Sequence, residues 1–346
     1  MSLAPTSTRA FITGVSGLTL TDDERAFLRA ERPWGFILFK RNVDTPAQVT
    51  ALVRDMRDCI GSPDAPVLID QEGGRVQRLG PPHWPIYPPG AVFATLYDID
   101  PELGLKAARL SNRLIAADLI DLGITVDCLP LADVPVAEAD AVIGNRAYGT
   151  TPEKVAAIAR AVTDGLEQGG VLPVLKHIPG HGRATADTHH QLPVVDTSKA
   201  ELEAIDFAAF KPLADLPMAM TAHVVFSAFD PAQPATTSAT IINEVIRGTI
   251  GFGGLLMSDD VSMNALEGSI AERTHAIVAA GCDMVLHCNG KLDEMRAVAA
   301  ETPVLAGEAL ARADRALAAR KPPMAFDRVA ARAELDALIA QAEASA

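Results

Sequence analysis

The sequence predicts an α/β fold, a (β/α)8 barrel of the TIM type in one domain over residues 1–346, and three observations carry that prediction. Short apolar runs rich in β-branched residues recur along the chain. Segments of helical period lie between them, and the runs end repeatedly in charged or hydrogen-bonding side chains. Near-continuous apolar runs describe strands covered on both faces, which is the condition of a parallel sheet.

The runs are eight: AFITGVSG at 10–17, WGFILFKR at 34–41, PVLIDQEGG at 66–74, GITVDCLPL at 123–131, GGVLPVLKHIPG at 169–180, MAMTAHVVF at 218–226, GGLLMSDDVSM at 253–263 and AGCDMVLHCNG at 280–290. Helical patterns fill the intervals. TPAQVTALVRDMRDCI, from Thr45, spaces apolar residues by three and four and puts Pro46 in the first turn, where a missing N–H costs nothing. TPEKVAAIARAVTDGLEQGG opens on Thr151 as a candidate cap and closes on paired glycines. Further helical segments are read at 102–122, 199–210, 241–250 and 269–280. After the third run the proline- and aromatic-rich LGPPHWPIYPPG, residues 79–90, is too rigid for a minimal connection. Residues from about 303 to 346 read as added helices packed outside the barrel, and no internal repeat or linker marks a second domain.

Charge excludes several partner classes. The formal net charge is −14, without a block of lysine or arginine, so nucleic acid and anionic membrane are not expected partners. The first residues lack the basic start and continuous apolar core of an export signal, and no stretch has membrane-spanning length. Cys59, Cys128, Cys282 and Cys288 are scattered rather than paired, which fits reduced thiols in the cytoplasm. No obligatory protein partner is evident.

Barrel chemistry gathers at the carboxyl ends of the strands. The polar residues there are Lys40 and Arg41, Asp70, Asp127, Lys176 and His177, His223, Ser258 to Asp260, and His287 to Asn289. For Asp127, His223 and His287, support of a neighbouring site residue is as good a reading as substrate contact. In DQEGGRVQR, Asp70, Glu72, Arg75 and Arg78 follow one another through two glycines. Carboxylate and guanidinium together suit a sugar, accepting from some hydroxyls and donating to others, although an internal ion pair that merely orders the loop is the plain alternative.

KHIPGHGRATADTHH, residues 176–190, holds four of the eight histidines. Metal ligation would pair His177 with His181, yet Pro179 and two glycines break the helix that this spacing needs to bring both rings to one face. Proton transfer fits better. Asp187 and His189 lie two apart in a glycine-flanked loop, and on extended backbone they share a side, so the carboxylate can hold one imidazole nitrogen and leave the other free. Asp259 ends the seventh run, and a carboxylate opposite a proton-transfer group is the logic of glycoside hydrolysis.

KHIPGHG with the following DTH, and MSDD after GFGG, resemble the family-3 glycoside hydrolases, more narrowly the bacterial single-domain β-N-acetylhexosaminidases of cell-wall recycling. DQEGGRVQR, VIGNRAYG and AGCDMVLHCN fit the same group, so the resemblance covers residues 36–289. It implies a retaining mechanism in a (β/α)8 barrel without cofactor or metal. Asp259 would be the nucleophile, His189 the acid/base, and Asp187 its polarising partner. Asp70, Arg78, Arg146, Lys176 and His177 would hold the sugar, Asp260 would support Asp259, and His181 would shape its loop. The implied substrate is a small carbohydrate or muropeptide, N-acetylglucosamine linked to 1,6-anhydro-N-acetylmuramic acid. On this resemblance the chain is expected to lack the long carboxy-terminal α/β domain of many members, as the single-domain branch does. Open alternatives are a general β-glucosidase, a phosphorylase on the same scaffold, a metal-dependent barrel hydrolase, and a sugar-binding barrel without turnover.

Overall fold

A computed structural model describes residues 8–137, 142–184 and 192–344. Its centre is a parallel sheet of nine segments: β1 Arg9–Thr13, β2 Pro33–Leu38, β3 Val67–Ile69, β4 Val126–Asp127, β5 Leu172–Pro173, β6 Leu175–Ile178, β7 Met218–Thr221, β8 Leu255–Asp260 and β9 Met284–His287. Hydrogen-bonded neighbours run β5-β4-β3-β2-β1-β9-β8-β7-β6. The two end segments, β5 and β6, are parted in the chain by Val174 alone, so the sheet returns on itself as a barrel of eight staves. The fifth stave is split because Pro173 has no N–H to continue the ladder. Val174 N–H then donates towards Asp127 and Leu129 carbonyls at 3.1 and 2.7 Å. β5 pairs with β4, and β6 with β7.

Both faces of the staves are apolar, for opposite purposes. Ile12, Leu68, Val126, Val174, Met218, Met220, Leu255, Met257, Met284 and Leu286 fill the barrel interior. The residues between them, such as Phe11, Ile69, Ala219, Leu256 and Val285, face the surrounding helices. Each buried aliphatic side chain of this kind contributes about 1.5–3 kcal/mol relative to exposure.

The helices begin and end where local chemistry dictates. Thr45 caps the helix Pro46–Ile60 by accepting from the Gln48 N–H, and Gly61 stops it at φ 65°. Ser269 and Glu272 form a reciprocal capping box for Ile270–Ala280. Thr151 precedes Pro152–Gln168 as expected, but its hydroxyl makes no capping bond. Three helices lie beyond the sequence reading: Asp22–Glu31, Gly90–Ile99 and Leu292–Glu301. Helix Gly307–Ala318 packs against an end of the barrel, with Ala313 and Ala316 in contact with the interior cluster and Arg312 donating to Asp283 at 2.9 Å, beside the start of β9. It therefore lies across the amino-terminal end of the barrel, opposite the expected site. Helix Arg328–Ala344 packs on the outer helices, with Arg328 paired to Asp121. Among the described residues no helix is long and apolar enough to cross a membrane.

Candidate active site

A cavity of about 320 Å³ opens at the carboxyl ends of the strands, of the size that takes a small ligand. Asp70, Arg78, Arg146, Lys176, His177 and Asp259 all line it. Strand parity explains three of them. Asp70 lies two residues beyond interior Leu68, Lys176 two beyond Val174, and Asp259 two beyond Met257. The inward row of these three staves thus changes from apolar to charged where the barrel ends. Asp127, Asp260 and His287 have the opposite parity. Asp127 and His287 do not line the cavity, and Asp127 instead accepts from the Gln71 N–H at 3.0 Å. Gln71 in turn accepts from the Arg78 and Leu79 N–H groups, holding the loop that presents Arg78.

The charged residues form an alternating chain. Arg78 donates to Asp70 Oδ2 at 2.9 Å, and Lys176 Nζ meets Asp70 Oδ1 at 3.0 Å and Glu72 Oε1 at 2.6 Å. Arg146 closes the chain with two bonds to Glu72, at 2.7 and 2.8 Å. Burial alone would raise the Asp70 carboxyl, but Lys176 and Arg78 outweigh it and hold Asp70 below the ordinary carboxylate range. Lys176, buried but between two carboxylates, is held above the usual ammonium range. Every member is therefore charged at neutral pH, and the cavity wall offers both acceptors and donors to vicinal hydroxyls. Arg146 and Glu72 are 74 positions apart, which is why an ordinary-looking IGNR loop carries no local sign of the arginine's role.

Glu72 provides a test. Burial opposes its charge, yet Arg146 and Lys176 lower the carboxyl from 4.5 to about 2. Between those values the unfolded chain binds more protons than the folded one, so stability rises with pH across the window. The contribution is complete above about pH 4.5 and is lost as the pH falls towards 2. Glu72→Gln should lower the denaturant midpoint at neutral pH, since it leaves two buried cations undercompensated. The gap from the parent should then close on acidification. A gap that stays constant down the acid range would remove the ion-pair account.

Asp133, fully buried, organises the histidine segment. His177 Nδ1–H donates to its Oδ2 at 2.8 Å, while the backbone N–H groups of His181 and His177 donate to its Oδ1 at 2.7 and 3.3 Å. His177 therefore turns Nε2 away from Asp133. Contrary to the expectation from the broken HxxxH spacing, the turn does bring the rings of His177 and His181 together, with centroids 5.6 Å apart. Burial and then His177 lower His181 to about 4, so it is neutral. Among the described residues no group of three or more His, Cys, Asp or Glu is arranged to hold a metal ion.

The two aspartates at the end of β8 differ in what their oxygens do. Asp260 accepts at Oδ1 from the Ser262 and Cys288 N–H groups, at 3.0 and 3.1 Å, and at Oδ2 from the Ser262 hydroxyl at 2.6 Å. Asp259 accepts from the Asp260 N–H at 2.7 Å on Oδ1. Burial would raise Asp259, but His223 and His177 hold it below the ordinary range. An ionised carboxylate, with one oxygen that accepts no hydrogen bond among the described residues, thus faces the cavity beside the charged chain.

Residues 13–317 match the glycosyl hydrolase family 3 N-terminal domain. The chain belongs to this family. It is a family-3 glycoside hydrolase, and its fold agrees with solved members. NagZ of Neisseria gonorrhoeae, in a complex with N-trifluoroacetyl-D-glucosamine, is 30% identical with a TM-score of 0.82, covering 98% of each chain. A β-hexosaminidase of Chromobacterium violaceum is 39% identical over 295 residues, covering 84% of this chain and 82% of its own. A second β-hexosaminidase, of Bordetella avium, is 38% identical over 279 residues, or 80% and 79% of the two chains. In this hydrolase the remaining expected residues, Asp187 and His189, lie outside the described residues. Asp133 is not among the residues singled out from sequence, and Glu72 enters there only as part of DQEGGRVQR; each is a buried carboxylate whose partners are distant in the chain.

Proposed function

We propose that this family-3 hydrolase is a retaining exo-β-N-acetylglucosaminidase. It removes terminal non-reducing N-acetylglucosamine from the muropeptide-derived disaccharide GlcNAc-1,6-anhydro-MurNAc, in the cytoplasm, during peptidoglycan recycling. The observation that carries this reading is Asp259, with one oxygen that accepts no hydrogen bond among the described residues, in a cavity walled by the Arg78–Asp70–Lys176–Glu72–Arg146 chain. The β-hexosaminidase relatives and the glucosamine-derivative complex of the Neisseria protein support the choice of sugar.

In the first step an Asp259 oxygen attacks the anomeric carbon as the glycosidic C–O bond breaks, and His189 gives its proton to the departing oxygen. In the second, neutral His189 takes a proton from water, whose oxygen attacks the same carbon and releases the Asp259 carboxylate. Two displacements restore the original anomer. Asp70, Arg78, Arg146, Lys176 and His177 hold the sugar, and Asp187 fixes the His189 ring. Neither step requires a cofactor or a metal ion.

Aryl β-N-acetylglucosaminide should be hydrolysed at least about 100-fold faster than aryl β-glucoside, because groups placed for an acetamide are left unpaired by a hydroxyl. The side-by-side kcat/KM values measure this, and proton NMR of the first-formed sugar should show the β anomer. Equal rates would indicate a general β-glucosidase, and a first-formed α anomer would exclude retention.

A further inference from the structure

We infer that His223 is a positioning residue for Asp259, acting through a hydrogen-bonded circuit that holds the peptide groups on either side of the Asp259–Asp260 peptide. This rests on the reading of Asp259 as the nucleophile. His223 is fully buried and does not line the cavity. Its Nε2 lies 3.0 Å from the Asp260 carbonyl oxygen. A carbonyl can only accept, so Nε2 carries the hydrogen whatever the state of Nδ1. Nδ1 lies 2.8 Å from Thr236 Oγ1, which lies 2.8 Å from Thr221 Oγ1. Thr221 Oγ1 accepts from the Asp259 N–H at 3.4 Å. The circuit thus leaves the backbone at Asp259 and returns to it at Asp260. Thr221, Thr236 and His223 are all inaccessible to solvent, so water does not compete for these bonds.

The sheet holds this stretch on one side only. Pairing of β7 with β8 runs through Met218, Ala219 and Met220 opposite Leu255, Leu256 and Met257. Pairing of β8 with β9 changes register between Met257 and Asp260. Pairing with β9 resumes at Asp260 opposite Leu286, but the ladder to β7 ends at Met257, and side chains from the end of β7 take over on that side. The consequence reaches the carboxylate, because Asp259 Oδ1 accepts from the N–H of the Asp259–Asp260 peptide. Rotation of the peptide would turn the carboxylate and re-aim its other oxygen, and a misplacement of about 1 Å can cost about 100-fold in rate.

The experiment is pre-steady-state trapping with a 5-fluoro derivative of an activated N-acetylglucosaminide, with peptide mapping of the adduct. Parallel titrations follow N-acetylglucosamine binding. His223→Asn, too short to reach the Asp260 carbonyl, should slow trapping about 100-fold while the Kd moves less than about twofold. His223→Gln, which can place an amide N–H near the Nε2 position, should recover most of the rate. If the His223 variants do not fold, Thr221→Val deletes one link at nearly constant volume and should slow trapping, and Thr221→Ser should restore it. Trapping at the parent rate in His223→Asn or in Thr221→Val, or parallel losses of binding and rate, would overturn the circuit. A parent adduct on a residue other than Asp259 would instead overturn the nucleophile assignment, and the inference with it.

Discussion

Asp259→Asn should lower kcat on an aryl N-acetylglucosaminide by at least about 10⁴-fold, the scale on which loss of an essential nucleophile registers. The substitution keeps volume and shape. The amide oxygen can still accept the 2.7 Å bond from the Asp260 N–H, so folding and sugar binding should survive. What disappears is the charge and the lone-pair basicity that attack the anomeric carbon. The neighbouring aspartate serves as the internal control. Both oxygens of Asp260 already accept from Ser262 or Cys288, which fastens the end of β8 to the start of the following loop and to β9. Asp260→Asn should therefore lower the unfolding midpoint and reduce turnover less, while the trapped sugar still maps to Asp259. Asp259→Ala adds a positive signature. Azide, small and anionic, can enter the vacated space and attack from the same face, giving an α-glycosyl azide and partial recovery of leaving-group release. An adduct on Asp260, or full activity in Asp259→Asn, would reverse the two roles. Because Asp259 is held below the ordinary carboxylate range, its ionisation should not set the acid limb of the pH profile near pH 4.

The barrel was legible because both faces of a parallel stave are buried, so each strand announces itself as an unbroken apolar run. Parity within those runs also held information that the simple reading of strand ends did not use. Leu68 to Asp70, Val174 to Lys176 and Met257 to Asp259 are all steps of two along the inward row, whereas Asp127 and His287 fall on the outward row. A step of one separates Asp259 from Asp260, which also borders the cavity but spends its oxygens on backbone and hydroxyl donors. Helix Asp22–Glu31 could have been found from Thr21 and Glu24, which form a capping box in the structure. Arg146, Glu72 and Asp133 belong to a different class. Their meaning lies in partners brought together by the closed barrel, across separations such as 74 positions for Arg146 and Glu72, and no local pattern encodes that. Resemblance to a family supplied Arg146; it did not supply the carboxylates that hold Arg146 and His177 in place. The position of the tail helix Gly307–Ala318 was not legible for a related reason. An amphipathic pattern tells that one face is buried, not whether it covers the side of the barrel or its end.

The second large effect concerns His189, and it should depend on the leaving group. A nitrophenolate departs with little help, whereas a sugar alkoxide is far more basic and hardly leaves without a proton. His189→Ala should therefore slow cleavage of the disaccharide by about 10²–10⁴-fold, the usual range for a positioned general acid, and slow release of nitrophenolate much less. The same imidazole must then deprotonate water, so breakdown of the glycosyl-enzyme should slow for both substrates. With the aryl glycoside this predicts a burst of nitrophenolate followed by a low steady rate, since formation of the intermediate now outruns its hydrolysis. Asp187→Asn should give a milder form of the same pattern, because the ring remains but loses the carboxylate that fixes its tautomer and stabilises its charge. Azide, which needs no general base, should relieve the slow second step in His189→Ala and leave the parent unchanged. Stopped-flow and quenched-flow measurements on both substrates separate the two steps. Equal losses on the two glycosylation steps, without a burst and without response to azide, would mean that His189 binds or shapes the site while another group carries the proton.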